Sequence, residues 1–421
     1  MGSRPLVILL LALAACSPSS TSPGSSSTAS GSLGTTAAAS SPSVHATVSP
    51  VPTSFLVMVG YSGGTLTKSP DQQTVSLVDR DGHVVASTTS PIENLEEVPF
   101  PFFGLPTAQV RSRLFGVGGI CCGLPLAVPC QHGCVRLPEL ITTDHRVYFV
   151  SGQDDLLYLG ADGTTGLAAK LPNVKGRTQS VVAVSPDDKR ISLAVFDWSQ
   201  PPMKVTIYVE DLGGGNRVQI FNSTSVYEWP VGWHAGLLVV AVGEVTVGYF
   251  GPNPYKALAY HVVDSTNGVR RAELGSSTCR VVGPLVHAGT ACTGPCGIDF
   301  CVSAVDWTGQ SHVLYRYKDP NRKGDWAPLS PDGHAVVITE GEVGPGYPVT
   351  YVVRDDGSQV KLPGPVANQD VWWLDWDTVV LGGPSFVSPD LYRINLYRLS
   401  TDAVIPIDSP GSGVGVVPGL S

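Results

Sequence analysis

The chain has 421 residues, enough for one large or two ordinary domains. Only 14% of the residues are charged, and the formal net charge is −9. An acidic chain without a basic run lacks the surface that phosphate recognition requires, so we expect no nucleic-acid partner. The 47 glycines and 35 prolines indicate a chain with many turns.

The first residues are typical of an export signal. Arg4 precedes an apolar run from Leu6 to Leu13, which is too short to span a bilayer. Ala12-Leu13-Ala14 fits an ordinary signal-peptide cleavage site. The overlapping Leu13-Ala14-Ala15-Cys16 instead resembles the lipobox of bacterial lipoproteins, which implies that Cys16 carries a lipid and becomes the first residue of the mature protein.

The cysteine count favours the lipobox. The chain has nine cysteines, and removing Cys16 leaves an even number that can pair in an oxidising compartment. Residues 17–52 contain no Asp, Glu, Lys or Arg and are rich in Ser, Thr, Ala, Gly and Pro, as in a flexible tether. We predict a signal peptide over 1–15 and a lipidated cysteine with a disordered tether over 16–53. The lipid would hold the protein in the cell envelope, on the outer face of the cytoplasmic membrane or in an outer membrane if the cell has one.

From Ser54 onward the pattern predicts strands and turns. Short runs rich in Val, Ile, Leu, Tyr and Phe, such as 55–60 and 205–211, lie between Gly, Pro, Asp and Asn. After the first gap, Asp-Gly and related turn signals recur about every 40–55 residues, which is the size of a four-stranded blade. Asp-Gly suits a type I′ hairpin turn.

A second repeat supports this interpretation. Ser-Pro-Asp begins at Ser69, Ser185, Ser330 and Ser388, and aliphatic residues follow six and eight positions after each serine. The segment "WAPLSPDGHAVVITEG" resembles the Ser-Pro-Asp-Gly repeat of TolB-like and WD-repeat-like bacterial β-propellers. The resemblance implies a structural turn and says little about activity.

We therefore predict an all-β chain with a single β-propeller of four-stranded blades over 54–410, followed by a flexible tail over 411–421. Seven blades are expected, and a six- or eight-bladed ring is the alternative, because the gap from Asp81 to Asp162 is long. The strand at 55–60 is expected to complete the last blade. The predicted blades span 54–99, 135–175, 178–222, 226–275, 278–320, 325–363 and 368–410.

The other eight cysteines form two clusters of four. Four thiolates can hold zinc, but irregular spacing and an oxidising location favour disulfides. Adjacent Cys121 and Cys122 are not expected to bond to each other. The pairing within and between clusters stays open. The clusters consist of Cys121, Cys122, Cys130 and Cys134, and of Cys279, Cys292, Cys296 and Cys301.

Few motifs point to chemistry. The segment 60–64, "GYSGG", matches the G-x-S-x-G of serine hydrolases but lacks a following helical pattern, so a glycine turn is expected. Asp154-Asp155 and Asp187-Asp188 are interpreted as solvated loop charges. No motif implies a cofactor or a metal, and the catalytic residues, if any, are unknown.

The tryptophans are the remaining candidates. Trp198 lies in a predicted loop between strands and is a candidate ligand contact, because exposed aromatic rings bind sugars and peptides. Five others are expected to pack within or between blades: Trp229, Trp233, Trp372, Trp373 and Trp376.

Together these patterns predict a lipid-anchored binding or scaffold module with a protein or glycan partner in the envelope. The alternative is a carbohydrate-active propeller enzyme, a glycosidase or lyase, with its site at the mouth of the central channel. Several carboxylates and an aromatic ring meeting at that mouth would favour the enzyme.

Overall fold

The computed structural model describes residues 54–62, 72–91, 140–174, 177–197, 199–200, 202, 204–243, 257–317, 326–340, 349–363, 371–382, 394–407, 412–417 and 419. These residues form strands and turns only, arranged as a seven-bladed β-propeller. Several predicted sites lie outside them, so the structure does not describe these residues: Cys16, Cys121, Cys122, Cys130, Cys134 and Trp198.

Each blade is an antiparallel sheet. Blade 1 contains β1 (Phe55–Ser62), β2 (Gln72–Val78), β3 (Val84–Pro91) and the C-terminal strand described below. Blade 2 contains β4 (Leu140–Thr142), β5 (Arg146–Ser151), β6 (Asp155–Gly160) and β7 (Thr165–Lys170). Blade 3 contains β8 (Thr178–Val184), β9 (Arg190–Asp197), β10 (Lys204–Asp211) and β11 (Val218–Ser223).

Blade 4 contains β12 (Tyr227–His234), β13 (Leu237–Gly243), β14 (Ala259–Val263) and β15 (Arg270–Leu274). Blade 5 contains β16 (Arg280–Val281), β17 (Thr290–Cys296), β18 (Asp299–Val305) and β19 (Ser311–Tyr317). Blade 6 contains β20 (Ala335–Glu340), β21 (Val349–Arg354) and β22 (Gln359–Lys361), with a single bridge from Leu329 to Val336 at the innermost position. Blade 7 contains β23 (Trp372–Trp373), β24 (Thr378–Leu381), β25 (Asn395–Arg398) and β26 (Ala403–Pro406).

Each predicted blade range contains the sequence-consecutive strands of one sheet, apart from Ser223, which lies one residue beyond its range. The predicted closure of the ring, however, is wrong. Residues expected to form a flexible tail instead form β27 (Ser412–Val417), which pairs antiparallel with β1, placing Phe55 opposite Val417. Strand β27 is the innermost strand of blade 1 and packs against β4 of blade 2. Closure therefore joins the two ends of the propeller within blade 1, which removes the exposed edge that β1 would otherwise present.

The core lies between neighbouring blades. The inner strands of a blade, such as β9, are mostly buried, because a neighbouring blade covers each of their two faces. The outermost strand β7 instead contains only half-buried and exposed residues. Indole groups bridge the blades, as predicted for Trp233 and Trp373. Trp233 Nε1 donates to the Ala183 carbonyl of blade 3 at 3.3 Å, and Trp373 Nε1 donates to the Pro328 carbonyl of blade 6 at 3.0 Å.

The predicted Asp-Gly hairpins are present, but their turn type differs from the predicted type I′. Gly160 N donates to the Thr164 carbonyl at 2.8 Å, and Gly163 N donates to the Gly160 carbonyl at 2.9 Å. Only Gly163 has a positive φ, 83°, so this is a type I turn followed by a left-handed glycine. Asp162 Oδ1 accepts the Thr164 N–H at 3.0 Å, a contact of the Asx-turn kind that stabilises this turn.

The Ser-Pro-Asp turns at Ser185 and Ser330 precede the second strands of blades 3 and 6, whereas the copies at Ser69 and Ser388 lie outside the described residues. In blade 3, Ser185 Oγ lies 2.7 Å from Asp187 Oδ1 and accepts the Arg190 N–H at 2.9 Å. In blade 6, Ser330 makes the same two contacts. The resemblance to propeller repeats correctly implied a structural role for this serine and aspartate.

The strand directions define two faces. The turn face carries the connections from first to second and from third to fourth strand, including 143–145, 161–164 and 185–189. The loop face carries the connections from second to third strand and between blades, including 152–154 and 297–298. Strand β1 begins at Phe55, so the chain enters the propeller on the turn face.

The second cysteine cluster forms two disulfides, as the sequence predicted. Cys279 bonds to Cys292 with the Cα atoms 5.2 Å apart, and Cys296 bonds to Cys301 with the Cα atoms 5.8 Å apart. Both bonds lie in blade 5. They settle the pairing that the spacing left open for this cluster.

Candidate functional site

A cavity of about 550 Å³ opens on the turn face across blades 1, 2 and 3. Its walls combine three carboxylates with one guanidinium, one imidazole and several small or apolar groups. The lining residues are Phe55, Asp144, His145, Arg146, Gly160, Ala161, Asp162, Thr164, Asp188 and Val417. Ligand sites in proteins have this size and this mixture of apolar surface with a few converging polar groups.

The turn between β4 and β5 places Asp144 and His145 at the cavity. Thr143 is fully buried at its base, and its N–H donates to the Arg146 carbonyl at 2.9 Å. Arg146 N in turn donates to Thr143 Oγ1 at 3.2 Å. The hairpin is therefore held from inside the blade, and its charged side chains are free to face the cavity.

Asp188 reaches the cavity from the Ser-Pro-Asp turn of blade 3. It has a φ of 58°, a left-handed conformation that L residues other than Asn and Asp seldom adopt. Its side chain is only 15% exposed, and its Oδ2 lies 3.8 Å from Arg146 Nε. The interpretation of Asp188 as a solvated loop charge is therefore wrong, whereas its neighbour Asp187 is 56% exposed as expected.

Arg146 is fixed from below by aromatic rings. Its guanidinium lies 4.3 Å from the centre of the Tyr158 ring, a cation–π arrangement. Tyr148, fully buried beneath it, packs against Tyr158 with ring centres 6.1 Å apart. Burial raises the pKa of Tyr148 to about 12, so its hydroxyl stays neutral beside the charged groups.

The carboxylates of Asp144 and Asp188 lie in an unfavourable electrostatic environment. Asp144 Oδ1 and Asp188 Oδ1 are both buried without a hydrogen-bond partner, which is costly for a charged group. Burial raises the pKa of Asp144, the neighbouring carboxylates of Asp188 and Asp187 raise it further, and His145 opposes them. Perturbed carboxylates in a cavity are a recurrent mark of functional sites, where they can bind donors or exchange a proton.

Exposed aromatic rings lie elsewhere on the turn face. Trp376 was expected to pack between blades, but it is 57% exposed, because it lies at the tip of a turn beyond the end of β23. Its two neighbours, Asp375 and Asp377, are buried and bind Arg80 and Ser400 respectively. The turn is thus fixed on both sides while the indole projects outward.

A second aromatic group joins blades 4 and 5. His234 stacks on Trp307 with ring centres 3.9 Å apart and planes within 4°. Trp307 Nε1 donates to the His287 carbonyl at 2.8 Å. Sequence reasoning missed this pair, since His234 ends β12 and Trp307 lies in the turn after β18, far apart along the chain.

Other expected sites contribute less. Ser62, the serine of the G-x-S-x-G match, is the last residue of β1 and pairs with Gln72 of β2, as in an ordinary strand end. Within the described ranges no group of three or more His, Cys, Asp or Glu side chains could hold a metal ion. The same part of the chain contains no helix long and apolar enough to cross a membrane.

No protein-family model matches the sequence, and no curated protein matches it. Solved structures resemble it at low identity. The β-propeller domain of the trilobed protease from Pyrococcus furiosus is 11% identical, with 84% of this chain and 98% of that chain covered and a TM-score of 0.43. TolB from Acinetobacter baumannii is 13% identical, with 86% and 82% covered and a TM-score of 0.36.

Dipeptidyl peptidase 4 from Porphyromonas gingivalis is 12% identical, with 64% of this chain covered and a TM-score of 0.45. The present chain spans only 44% of the length of that peptidase. These similarities concern the propeller fold and identify neither a ligand nor a reaction.

Proposed function

We propose that this protein is a lipid-anchored binding module of the cell envelope and that its ligand occupies the cavity on the turn face. The anchor is supported by Leu13-Ala14-Ala15-Cys16 and by the uncharged segment that follows. The two disulfides of blade 5 support an oxidising location, since such bonds are rare in the cytosol of most organisms.

One observation supports the placement of the ligand in this cavity. Asp188 stands in a left-handed turn position where the equivalent turn of blade 6 has Gly333, with φ values of 58° and 80°. A glycine there would avoid both the backbone cost and the buried, unpartnered carboxylate oxygen. A sequence that keeps a costly residue at a cavity is expected to gain function from it.

The chemistry of the cavity favours a hydroxyl-rich ligand such as an oligosaccharide. Asp144, Asp162 and Asp188 outnumber Arg146, so the lining offers mainly acceptors and repels carboxylates. Asp162 is already engaged by Thr164, which leaves Asp144 and Asp188 as the principal acceptors. Sugar hydroxyls supply matching donors without adding negative charge.

Binding can be tested by calorimetry on the full chain in detergent, with chito- and malto-oligosaccharides as probes. We expect binding by at least one series and at least tenfold weaker binding by Asp144→Asn and Asp188→Gly. Asp356→Asn, an exposed turn residue outside the cavity, is the matched control and should bind normally. Normal binding by both cavity variants would refute the site.

The anchor is tested separately. Cys16→Ser should move the protein from the membrane to the soluble fraction of cells that produce it. Membrane retention of this variant would refute the lipid anchor and leave the cavity proposal intact.

Carbohydrate cleavage is the second candidate function. It is favoured because carboxylates from separate blades, Asp144 and Asp188, line one cavity together with the aromatic ring of Phe55. Asp144, whose pKa is raised, would donate its proton to the glycosidic oxygen while Asp188 accepts a proton from the attacking water. New reducing ends formed by the wild type but not by Asp144→Asn would support hydrolysis. Binding without new reducing ends would support the binding module.

A further inference from the structure

Two carboxylates in the turn-face cavity carry negative charge that their described neighbours do not balance. Asp144 and Asp188 come from different blades, and each has one oxygen that is buried and accepts no hydrogen bond from the described part of the chain. Burial raises the pKa of Asp144, and the nearby carboxylate of Asp188 raises it further, so the two charges act on each other.

We propose that an amino sugar binds in this cavity with its primary ammonium group between Asp144 and Asp188. The inference rests on the ligand site proposed above and specifies the chemistry of the ligand. A positive charge at this place attracts both carboxylates and offsets the repulsion between them.

Arg146 does not balance both carboxylates. It is the one guanidinium among the described lining residues, and its Nε lies 3.8 Å from Asp188 Oδ2, which is longer than a hydrogen bond. The guanidinium instead lies 4.3 Å from the centre of the Tyr158 ring. Beneath it, the fully buried Tyr148 has a neutral hydroxyl with no hydrogen-bond partner among the described residues, so it adds no positive charge. His145 opposes the carboxylates, but it is exposed to water, which screens its charge.

Two further carboxylates near the pair are engaged elsewhere. Asp187 Oδ2 lies 3.3 Å from Lys189 Nζ, and the Asp187 side chain is 56% exposed. Asp162 is also exposed, and its Oδ1 accepts both the N–H and the hydroxyl of Thr164. The uncompensated charge in the cavity is therefore concentrated on Asp144 and Asp188.

An ammonium group suits this pair of carboxylates better than other cations do. Its three N–H donors on one nitrogen can serve two carboxylates at once. A guanidinium binds best to both oxygens of one carboxylate, and Asp188 Oδ2 already faces Arg146. A quaternary amine requires a cage of aromatic rings, whereas Phe55 is the one phenyl ring among the described lining residues. A calcium ion takes about 6–8 oxygen ligands, more than two carboxylates supply.

The rest of the lining favours a sugar as the carrier of the amine. Phe55, Ala161 and Val417 give the cavity apolar surface, which suits the C–H groups of a sugar ring. A peptide with a free amino terminus also carries an ammonium group, but its carbonyl groups require donors. The lining offers mainly acceptors, to which sugar hydroxyls can donate.

The test compares two oligosaccharides that differ only at nitrogen. Trimers of glucosamine and of N-acetylglucosamine share one linkage, but acetylation turns the ammonium group into a neutral amide. Calorimetry on the full chain in detergent at pH 6, where an amine is protonated, should show at least tenfold tighter binding of the glucosamine trimer. This preference should fall at least threefold in Asp144→Asn and in Asp188→Asn, and the double variant should lose it.

Two control variants separate the carboxylate pair from the general negative field. Asp162→Asn removes a charge from the same cavity, but from a carboxylate that Thr164 already engages, so the preference should change less than twofold. Asp356→Asn, outside the cavity, should leave it unchanged. Unchanged melting temperatures show that the variants fold. A fall in Asp162→Asn equal to the falls in the two pair variants would overturn the placement of the ammonium group.

The remaining outcomes distinguish this inference from the ligand site on which it rests. Equal affinity for both trimers would overturn the inference and leave the ligand site standing. Absence of binding by both trimers and by maltotriose would overturn the ligand site as well. Tighter binding of trialanine than of the glucosamine trimer, lost when the amino terminus of trialanine is acetylated, would overturn the amino sugar in favour of a peptide.

Discussion

Asp188 and Gly333 occupy the same position in two Ser-Pro-Asp turns, and both backbones are left-handed there. The N–H of each donates to the carbonyl of its turn serine at 2.9 Å, so the two turns have the same hydrogen bonding. One turn carries glycine, which suits this backbone, and the other carries an aspartate that faces a cavity. The difference between two equivalent turns thus marks the candidate site.

Asp188→Gly should stabilise the protein while removing ligand binding. The substitution puts glycine at a left-handed position, which removes a backbone cost of roughly 1 kcal/mol. It also removes a buried carboxylate oxygen that has no hydrogen-bond partner. The lost contact with Arg146 is long at 3.8 Å and offsets only part of this gain. Thermal unfolding should show a higher melting temperature.

The reverse substitution, Gly333→Asp, is the matched comparison. A Cβ at this position would lie 2.8 Å from the Ala288 Cβ, in addition to the strain at a φ of 80°. This variant should therefore melt below the wild type. A lower melting temperature for Asp188→Gly would contradict the view that Asp188 is retained for function.

Closure of the ring depends on β27. Val417 is 1% exposed opposite Phe55, so a charge at this position would be buried in the core between blades 1 and 2. Val417→Asp should lower the free energy of unfolding by about 3 kcal/mol or more. Val404→Asp, on the exposed outer strand β26, should change it by less than about 0.5 kcal/mol. Equal losses in chemical denaturation would contradict closure by β27.

The sequence predicts this fold well where the signal is local. The turn spacing places seven blades because the last hairpin of blades 1 to 6 contains both Asp and Gly, and that of blade 7 contains Asp402 with a φ of 53°. Each of these hairpins depends on its own residues alone. Strand β27 escapes prediction because "SGVGVV" reads as a tail, and its partner β1 lies at the other end of the chain. Its pairing is a property of the closed ring.

The candidate site is harder to predict for a similar reason. Asp144 and Asp188 come from different blades, and no spacing rule brings them together. One signal was present in the sequence: Asp188 follows Ser-Pro-Asp where the equivalent repeat has Gly333. The exposure of Trp376 escaped prediction because its neighbours Trp372 and Trp373 suggested one continuous strand, whereas the strand ends at Trp373.

Asp144 and Asp264 should affect stability with opposite dependence on pH. The pKa of Asp144 is raised above its unfolded value, chiefly by burial, so this carboxyl favours folding while protonated and destabilises the fold as pH rises above about 4. The pKa of Asp264 is lowered, first by Thr266 and then by Arg271, so its contribution is present above about pH 4 and is lost as pH falls through the lowered value.

Asn substitutions should separate the two effects in melting temperatures recorded from pH 3 to pH 7. Asp144→Asn should gain stability relative to the wild type as pH rises across this range, and Asp264→Asn should lose stability relative to it. Parallel curves for both variants would contradict the assigned directions.

Trp373 and Trp376 are three residues apart, but truncation to Ala should lower the stability of the fold strongly at Trp373 and hardly at all at Trp376. Trp373 is 5% exposed, and its indole N–H donates to the Pro328 carbonyl of blade 6 at 3.0 Å. Trp373→Ala removes this packing and one hydrogen bond to the Pro328 carbonyl, which keeps its bond from the Val337 N–H, and should cost about 3–5 kcal/mol. Trp376 is 57% exposed, and the buried aspartates beside it hold the turn without the ring, so Trp376→Ala should cost less than about 0.5 kcal/mol.

Chemical denaturation measures both losses, and iodide quenching of fluorescence should be reduced in Trp376→Ala, because iodide reaches the exposed indole. A large loss of stability in Trp376→Ala would place that ring in the core and contradict the exposed turn.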